Sequence, residues 1–187
     1  MEVHATRNVS PWILLWSNCT WSYNKSLEGD GQNPFLLFSM LLCAFSLEAY
    51  LNQILQHYVP GDWEEYERNT SPIDKLDKLC EELQFSIDKG KRPFQTFSEI
   101  FTFRNDIVHT KTIKLDDVFS YSIEKFLQAD NIPPIPLTSW EKILTPQSAK
   151  RFYDDSKEII ITLHKEANLG DDPFDGTYSR TRFTGNI

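Results

Sequence analysis

Cysteine is scarce. The chain of 187 residues holds three, Cys19, Cys43 and Cys80, and no two are spaced as metal ligands or as a disulfide framework would be. That excludes a zinc ribbon and a disulfide-stapled secreted module, and it fits reduced thiols in a cytoplasmic protein. Positive charge is also short: 19 Lys and Arg stand against 27 Asp and Glu, a net charge of −8. A protein that coats nucleic acid without specificity is therefore excluded, because phosphate contacts need clustered cations. Two small basic groups are left as local candidates: Lys89, Lys91 and Arg92, and then Arg104, His109, Lys111 and Lys114. No internal repeat and no low-complexity tract is present. The apolar run from Pro11 to Trp16 is too short for the core of a secretory signal, and no transmembrane segment is expected. No segment of the body alternates apolar and polar residues as a half-buried strand does.

What is present is helical patterning and abundant aromatic residues, among them 13 Phe and 5 Trp. Asn33-Pro34 opens a helix that runs to about His57. From Phe35 to Leu47 it is apolar almost all round, which calls for a central place in a bundle or for a dimer interface. Glu48 follows directly, and a carboxylate in that setting needs a partner. Asp62-Trp-Glu-Glu starts a short acidic helix. Ser71-Pro72 starts another, with Asp74 at its positive end and a stripe of Leu76, Leu79 and Cys80 continuing to about Phe85. Pro93 begins the helix of Phe94, Phe97, Ile100 and Phe101. Asp116 or Asp117 caps a further helix to about Ala129, and the Pro-rich stretch from Ile132 to Pro136 is a crossover. Thr138 to Glu141 is a capping box for a single turn, and Thr145-Pro146 opens a last long helix that ends near Gly170. The pattern predicts an all-α protein: an antiparallel four-helix bundle with short additional helices. Its organisation is an N-terminal extension over 1–33, a helical domain over 34–168 and a polar tail over 169–187.

Chemistry concentrates in Phe103-Arg104-Asn105-Asp106-Ile107-Val108-His109-Thr110, where an apolar helix runs out. Asn105 and His109, four apart, share a helical face. Arg104 and His109, five apart, point about 140° from each other on an ideal helix. They converge if the helix loosens near His109, or if a twofold partner supplies a second set. Two arginines and two histidines in one cleft suit RNA cleavage without a metal ion. A base removes the proton of the 2′-hydroxyl, which attacks the neighbouring phosphate, and an acid protonates the leaving oxygen. Arginine holds the phosphate and stabilises charge in the transition state. The bland alternative is a helix-end arginine in a surface ion pair with Asp106 or Glu99, and a histidine favoured by the helix's negative end. His4, His57 and His164 carry no signal of a shared site.

The segment Arg104-Asn105-Asp106-Ile107-Val108-His109 resembles the signature of the HEPN superfamily: arginine, a polar residue, a few mostly apolar residues, then histidine. The resemblance extends at pattern level to Ser46-Leu-Glu-Ala-Tyr-Leu-Asn-Gln-Ile, similar to that family's long first helix with its internal glutamate. It continues through Ser71-Pro-Ile-Asp-Lys-Leu-Asp-Lys-Leu and spans roughly 34–168. It implies a helical bundle that dimerises. In many members it implies a metal-independent endoribonuclease of toxin–antitoxin, phage-defence or CRISPR-associated systems, with no cofactor. On this chain it makes Arg104 and His109 the catalytic pair and Asn105 the polar residue that shapes the site. From its apolar setting, Glu48 is the residue expected to pair with or orient Arg104. Some relatives place a tyrosine two residues after the histidine; here that position is Lys111, which could touch phosphate instead. The expected partners are an RNA substrate, a second copy of the chain and an antitoxin or regulatory protein. The competing expectation is a non-catalytic HEPN-like dimerisation module that binds RNA, a nucleotide or a protein.

Overall fold

The computed structural model describes residues 3–28, 34–59, 61–116, 135–170, 172–175 and 179–185. The helix expected from Asp116 or Asp117 to Ala129, and most of the crossover after it, lie outside the described residues. The protein is all-α in its body. Its elements are β1 (Val3–Val9), α1 (Pro11–Ser26), α2 (Pro34–Leu55), α3 (Trp63–Asn69), α4 (Pro72–Glu82), α5 (Phe94–Val108), α6 (Ser139–Ile143), α7 (Pro146–Glu166) and β2 (Ser179–Gly185).

Local chemistry sets most helix starts. Asp62 accepts from the Glu65 amide, Ser71 from the Asp74 amide and Thr145 from the Ser148 amide. Each bond satisfies one of the amides that a helix start leaves without a partner. Pro72 and Pro146 follow their caps in the first turn, where a missing N–H costs nothing. Thr138 and Glu141 form the reciprocal capping box that starts α6.

α2 is the central helix and packs against α1, α4, α5 and α7. This explains its all-round apolar character: Leu36, Met40, Cys43, Leu47, Leu51 and Leu55 are buried. Over one 18-residue window its mean hydropathy is 1.7, so its length and composition are also those of a membrane-crossing helix. Its neighbours here are protein helices. α1 runs antiparallel to α2, as three contacts along their length show. Trp12 meets Tyr50 edge-on at 4.9 Å, Cys19 Sγ lies 3.4 Å from Cys43 Sγ, and Trp21 meets Phe35 at 5.2 Å. α5 and α7 are likewise antiparallel, with Phe103 against Phe152 at one level and Thr96 against Asp155 at another.

Residues 1–33 were expected to be an N-terminal extension of uncertain structure, in which Val9–Trp16 forms a short strand or helix that packs on the domain with Trp12 and Trp16. Trp12, Trp16 and Cys19 of α1 belong to the same buried cluster as α2, α5 and α7. The tail also reaches the body. Phe174 stacks on Trp16 at 5.2 Å, and β2 pairs antiparallel with β1 from Val3 opposite Gly185 to Val9 opposite Ser179.

The buried thiols follow from this packing. Cys19 and Cys43 are fully buried, and all three cysteines are free. The Cys19 thiol is pushed up by its hydrogen bond with Cys43 and by burial, and the Cys80 thiol by burial to about 11. The folded protein is therefore expected to react negligibly with a thiol reagent such as DTNB at pH 8, and all three thiols to react in urea.

α5 and α7 are clamped by a buried carboxylate. Asp155, only 3% exposed, accepts from Arg92 at 2.7 and 2.8 Å and also from the Thr96 hydroxyl. Arg92 is 55% exposed and recovers water when its partner is lost; buried Thr96 does not. Asp155→Ala is therefore expected to cost about 2 kcal/mol in urea unfolding, mostly the orphaned hydroxyl.

Candidate active site

α5 brings Arg104 to the site because its apolar side is fixed. Phe97, Ile100, Phe101 and Phe103 are buried, which leaves Arg104 at the edge of the α2–α5 contact. Its Nη2 donates to Glu48 Oε2 at 2.8 Å, and its guanidinium lies over the Phe101 ring, 5.5 Å from the centroid. Its Nε is buried and has no hydrogen-bond partner. Arg104 is thus held by one carboxylate and one ring, with donor capacity uncommitted. It does not pair with Asp106 or Glu99: Asp106 accepts from Ser139 of α6 at 2.9 Å, and Glu99 pairs with Arg151 at 2.6 Å.

Glu48 faces a second cation. The Nζ of Lys75 on α4 lies 3.9 Å from Glu48 Oε1, and Lys75 is 1% exposed. Burial pulls the Lys75 ammonium below its usual range, Glu48 and Glu67 oppose that shift, and Arg104 adds to it. One carboxylate therefore balances two cations, one of them almost fully buried. Lys75 was not anticipated from the sequence, although its place four residues before buried Leu79 puts it on the apolar stripe of α4. A further polar link continues along α2, where Asn52 Nδ2 donates to Glu67 Oε1 at 2.7 Å.

His109 is the residue at which α5 stops. Its amide still donates to the Asn105 carbonyl at 3.0 Å, but its φ of −105° and ψ of 2° take the chain out of the helix. Its side chain is exposed, as are those of Asn105 and Lys111. Among the described residues no side-chain hydrogen bond or ion pair joins Arg104 to Asn105 or His109 within one chain. The structure therefore gathers Glu48 and Arg104. It leaves Asn105, His109 and Lys111 on the solvent side at the end of the same helix.

The two basic groups separate clearly. Lys89 pairs with Asp77, Lys91 with Asp88 at 3.0 Å and Arg92 with Asp155, so the first is neutralised. In the second, Arg104 is tied to Glu48 and Lys114 to Asp116 at 3.1 Å. His109 and Lys111 have no carboxylate partner among the described residues. A phosphate approaching the end of α5 would meet these two. Of the other histidines, His164 meets the Tyr50 hydroxyl at 3.1 Å through Nδ1, away from the Arg104 cluster. Among the described residues no group of three or more His, Cys, Asp or Glu side chains is placed to hold a metal ion. The chain matches no protein-family model, no curated protein and no solved structure.

Proposed function

We propose that this protein is a metal-independent endoribonuclease of the HEPN type, working as a homodimer. The observation that carries the reading is Arg104. It is anchored by Glu48 through one nitrogen and keeps an unpartnered Nε, and it stands five residues before an exposed His109. With Nη2 on Glu48 and Nε buried, the Nη1 end of the guanidinium is what would meet the scissile phosphate. One histidine takes the proton of the 2′-hydroxyl, whose oxygen attacks phosphorus. The second, from the twofold partner, gives a proton to the departing 5′-oxygen. The products are a 2′,3′-cyclic phosphate and a 5′-hydroxyl. Asn105 and Lys111 flank the histidine, where they can orient the RNA backbone. The sequence resemblance supports a role as a toxin or phage-defence component, acting in the cytoplasm and restrained by an antitoxin or regulatory protein.

The test is incubation of mixed RNA with the purified protein in EDTA, beside Arg104→Ala and His109→Ala variants. Cleavage by the wild type alone is the expected result, and equal behaviour of all three preparations would sink the assignment. Sedimentation velocity should give a dimer; a strict monomer would remove the composite site. One observation favours a second reading, that of a non-catalytic HEPN-like binding module: Arg104 is only 16% exposed and already ion-paired. That module would bind RNA in the same assay and leave it intact.

A further inference from the structure

A polar cleft of about 330 Å³ opens between the C-terminal part of α2, α3 and the start of α1. Asn52 follows Glu48 by one helical turn, so the cleft begins roughly 6 Å along the same face of α2. Its walls include Asn52 and Gln53 of α2, Gln56 just after its end, Trp63 and Glu67 of α3, and Pro11 at the start of α1. The volume is within the range of small-molecule sites. Among the described residues no Lys, Arg or His lines it.

The groups in it are unevenly satisfied. Asn52 Nδ2 is committed to Glu67 Oε1 at 2.7 Å, whereas Asn52 Oδ1 is buried without a partner. Among the described residues Glu67 Oε2 and the carboxamides of Gln53 and Gln56 take part in no hydrogen bond. Unpaired polar groups at a partly enclosed site are costly, and a ligand that pairs them gains accordingly. Such a ligand must carry donors and acceptors on one edge. A phosphate or carboxylate would meet Glu67 unfavourably, and an aliphatic ligand would leave Asn52 Oδ1 unpaired and offer nothing to the Gln53 carboxamide. A flat heterocycle satisfies both demands. Its face can lie on the Trp63 indole while its edge reads the amides and the carboxylate.

We propose that this cleft seats a nucleobase of the RNA substrate, with guanine preferred. The N1–H and N2–H groups of guanine donate to the Glu67 carboxylate, and a glutamine carboxamide donates to O6. Uracil would turn carbonyl oxygens toward the same carboxylate. That the base belongs to RNA rests on the ribonuclease reading above; the recognition chemistry does not.

The test is a titration of ¹⁵N-labelled full-length protein with guanosine, adenosine, cytidine and uridine, read at the side-chain amides of Asn52, Gln53 and Gln56 and at the Trp63 indole N–H. Guanosine is expected to move these signals with an affinity roughly fivefold or more above that of uridine. Glu67→Gln should erase that preference, and Trp63→Leu should weaken every base. Gln56 is exposed, so Gln56→Ala keeps the fold and should weaken guanosine even if the other variants unfold. Signals that do not move, or equal binding of all four nucleosides that Glu67→Gln leaves unchanged, would overturn the proposal. A nucleoside has no scissile phosphate, so the outcome is independent of Arg104 and His109. Base binding without cleavage sinks only the ribonuclease reading, and cleavage without base binding sinks only this one.

Discussion

Glu48→Ala is expected to destabilise the protein by about 3 kcal/mol, the low end for breaking a buried ion pair. The loss comes from what remains. Lys75, 1% exposed, and Arg104 would face each other with no carboxylate between them, while Glu48 itself keeps 29% exposure and moderates the cost. The complementary change behaves differently. Lys75→Met removes the buried charge, leaves Glu48 with Arg104, and should fall within about 1 kcal/mol of wild type or above it. The two substitutions touch the same cluster, so a large cost for the first and a small one for the second is specific to this arrangement. Urea unfolding of both variants measures it.

The same cluster sets a pH dependence. The folded-state pKa of Lys75 lies below the ordinary lysine value of 10.5. Between those two values the unfolded chain binds more protons than the folded one, so stability rises with pH across that window. Below it the penalty of the buried ammonium is complete and constant. The stability of Lys75→Met relative to wild type should therefore be highest near neutrality and should decline as pH approaches 10.5.

The largest expected effect is on catalysis. His109→Ala should lower RNA cleavage by about 10²–10⁴-fold, the usual contribution of a general acid–base group. The side chain is exposed, so stability should change by no more than about 0.5 kcal/mol. Arg104 needs a gentler probe, because its removal also disturbs Glu48 and the Phe101 ring. Arg104→Lys keeps a cation for Glu48 but lacks the planar fork that grips a phosphate from two nitrogens. It should stay folded while losing most of the cleavage rate, and a stopped-time gel assay beside thermal melts separates the two effects.

Local chemistry was legible in the sequence. Ser71-Pro72, Thr138 with Glu141, and Thr145-Pro146 start helices in the structure because each cap is a bond between near neighbours. Glu48 could be marked as needing a partner because it directly follows an apolar run. Its second partner could not, since nothing in α4 names the helix that Lys75 will face. Arg92 and Asp155 are 63 positions apart, and their bond is set by how α7 lies on α5. α1 was harder to read than its burial warrants. Trp12, Trp16 and Cys19 are spaced for one helical face, but Ser22 and Ser26 continue that face and blur the apolar signal. The ribbon of β1 and β2 joins the two ends of the chain, and neither strand announces a partner so distant. At the candidate site, the angle between Arg104 and His109 was legible as a problem. Within one chain the structure leaves the two side chains unjoined, which is why the proposal requires a second copy.

The most direct test of that proposal uses two RNAs of one sequence, incubated in EDTA with the purified protein. One is all ribose, and the other carries a single 2′-deoxyribose on the 5′ side of the mapped cleavage site. The first is expected to be cut to a 2′,3′-cyclic phosphate end and the second to stay intact at that site, while His109→Ala cuts neither at an appreciable rate. Equal cleavage of both RNAs, or a 3′-hydroxyl end on the product, would contradict the proposal.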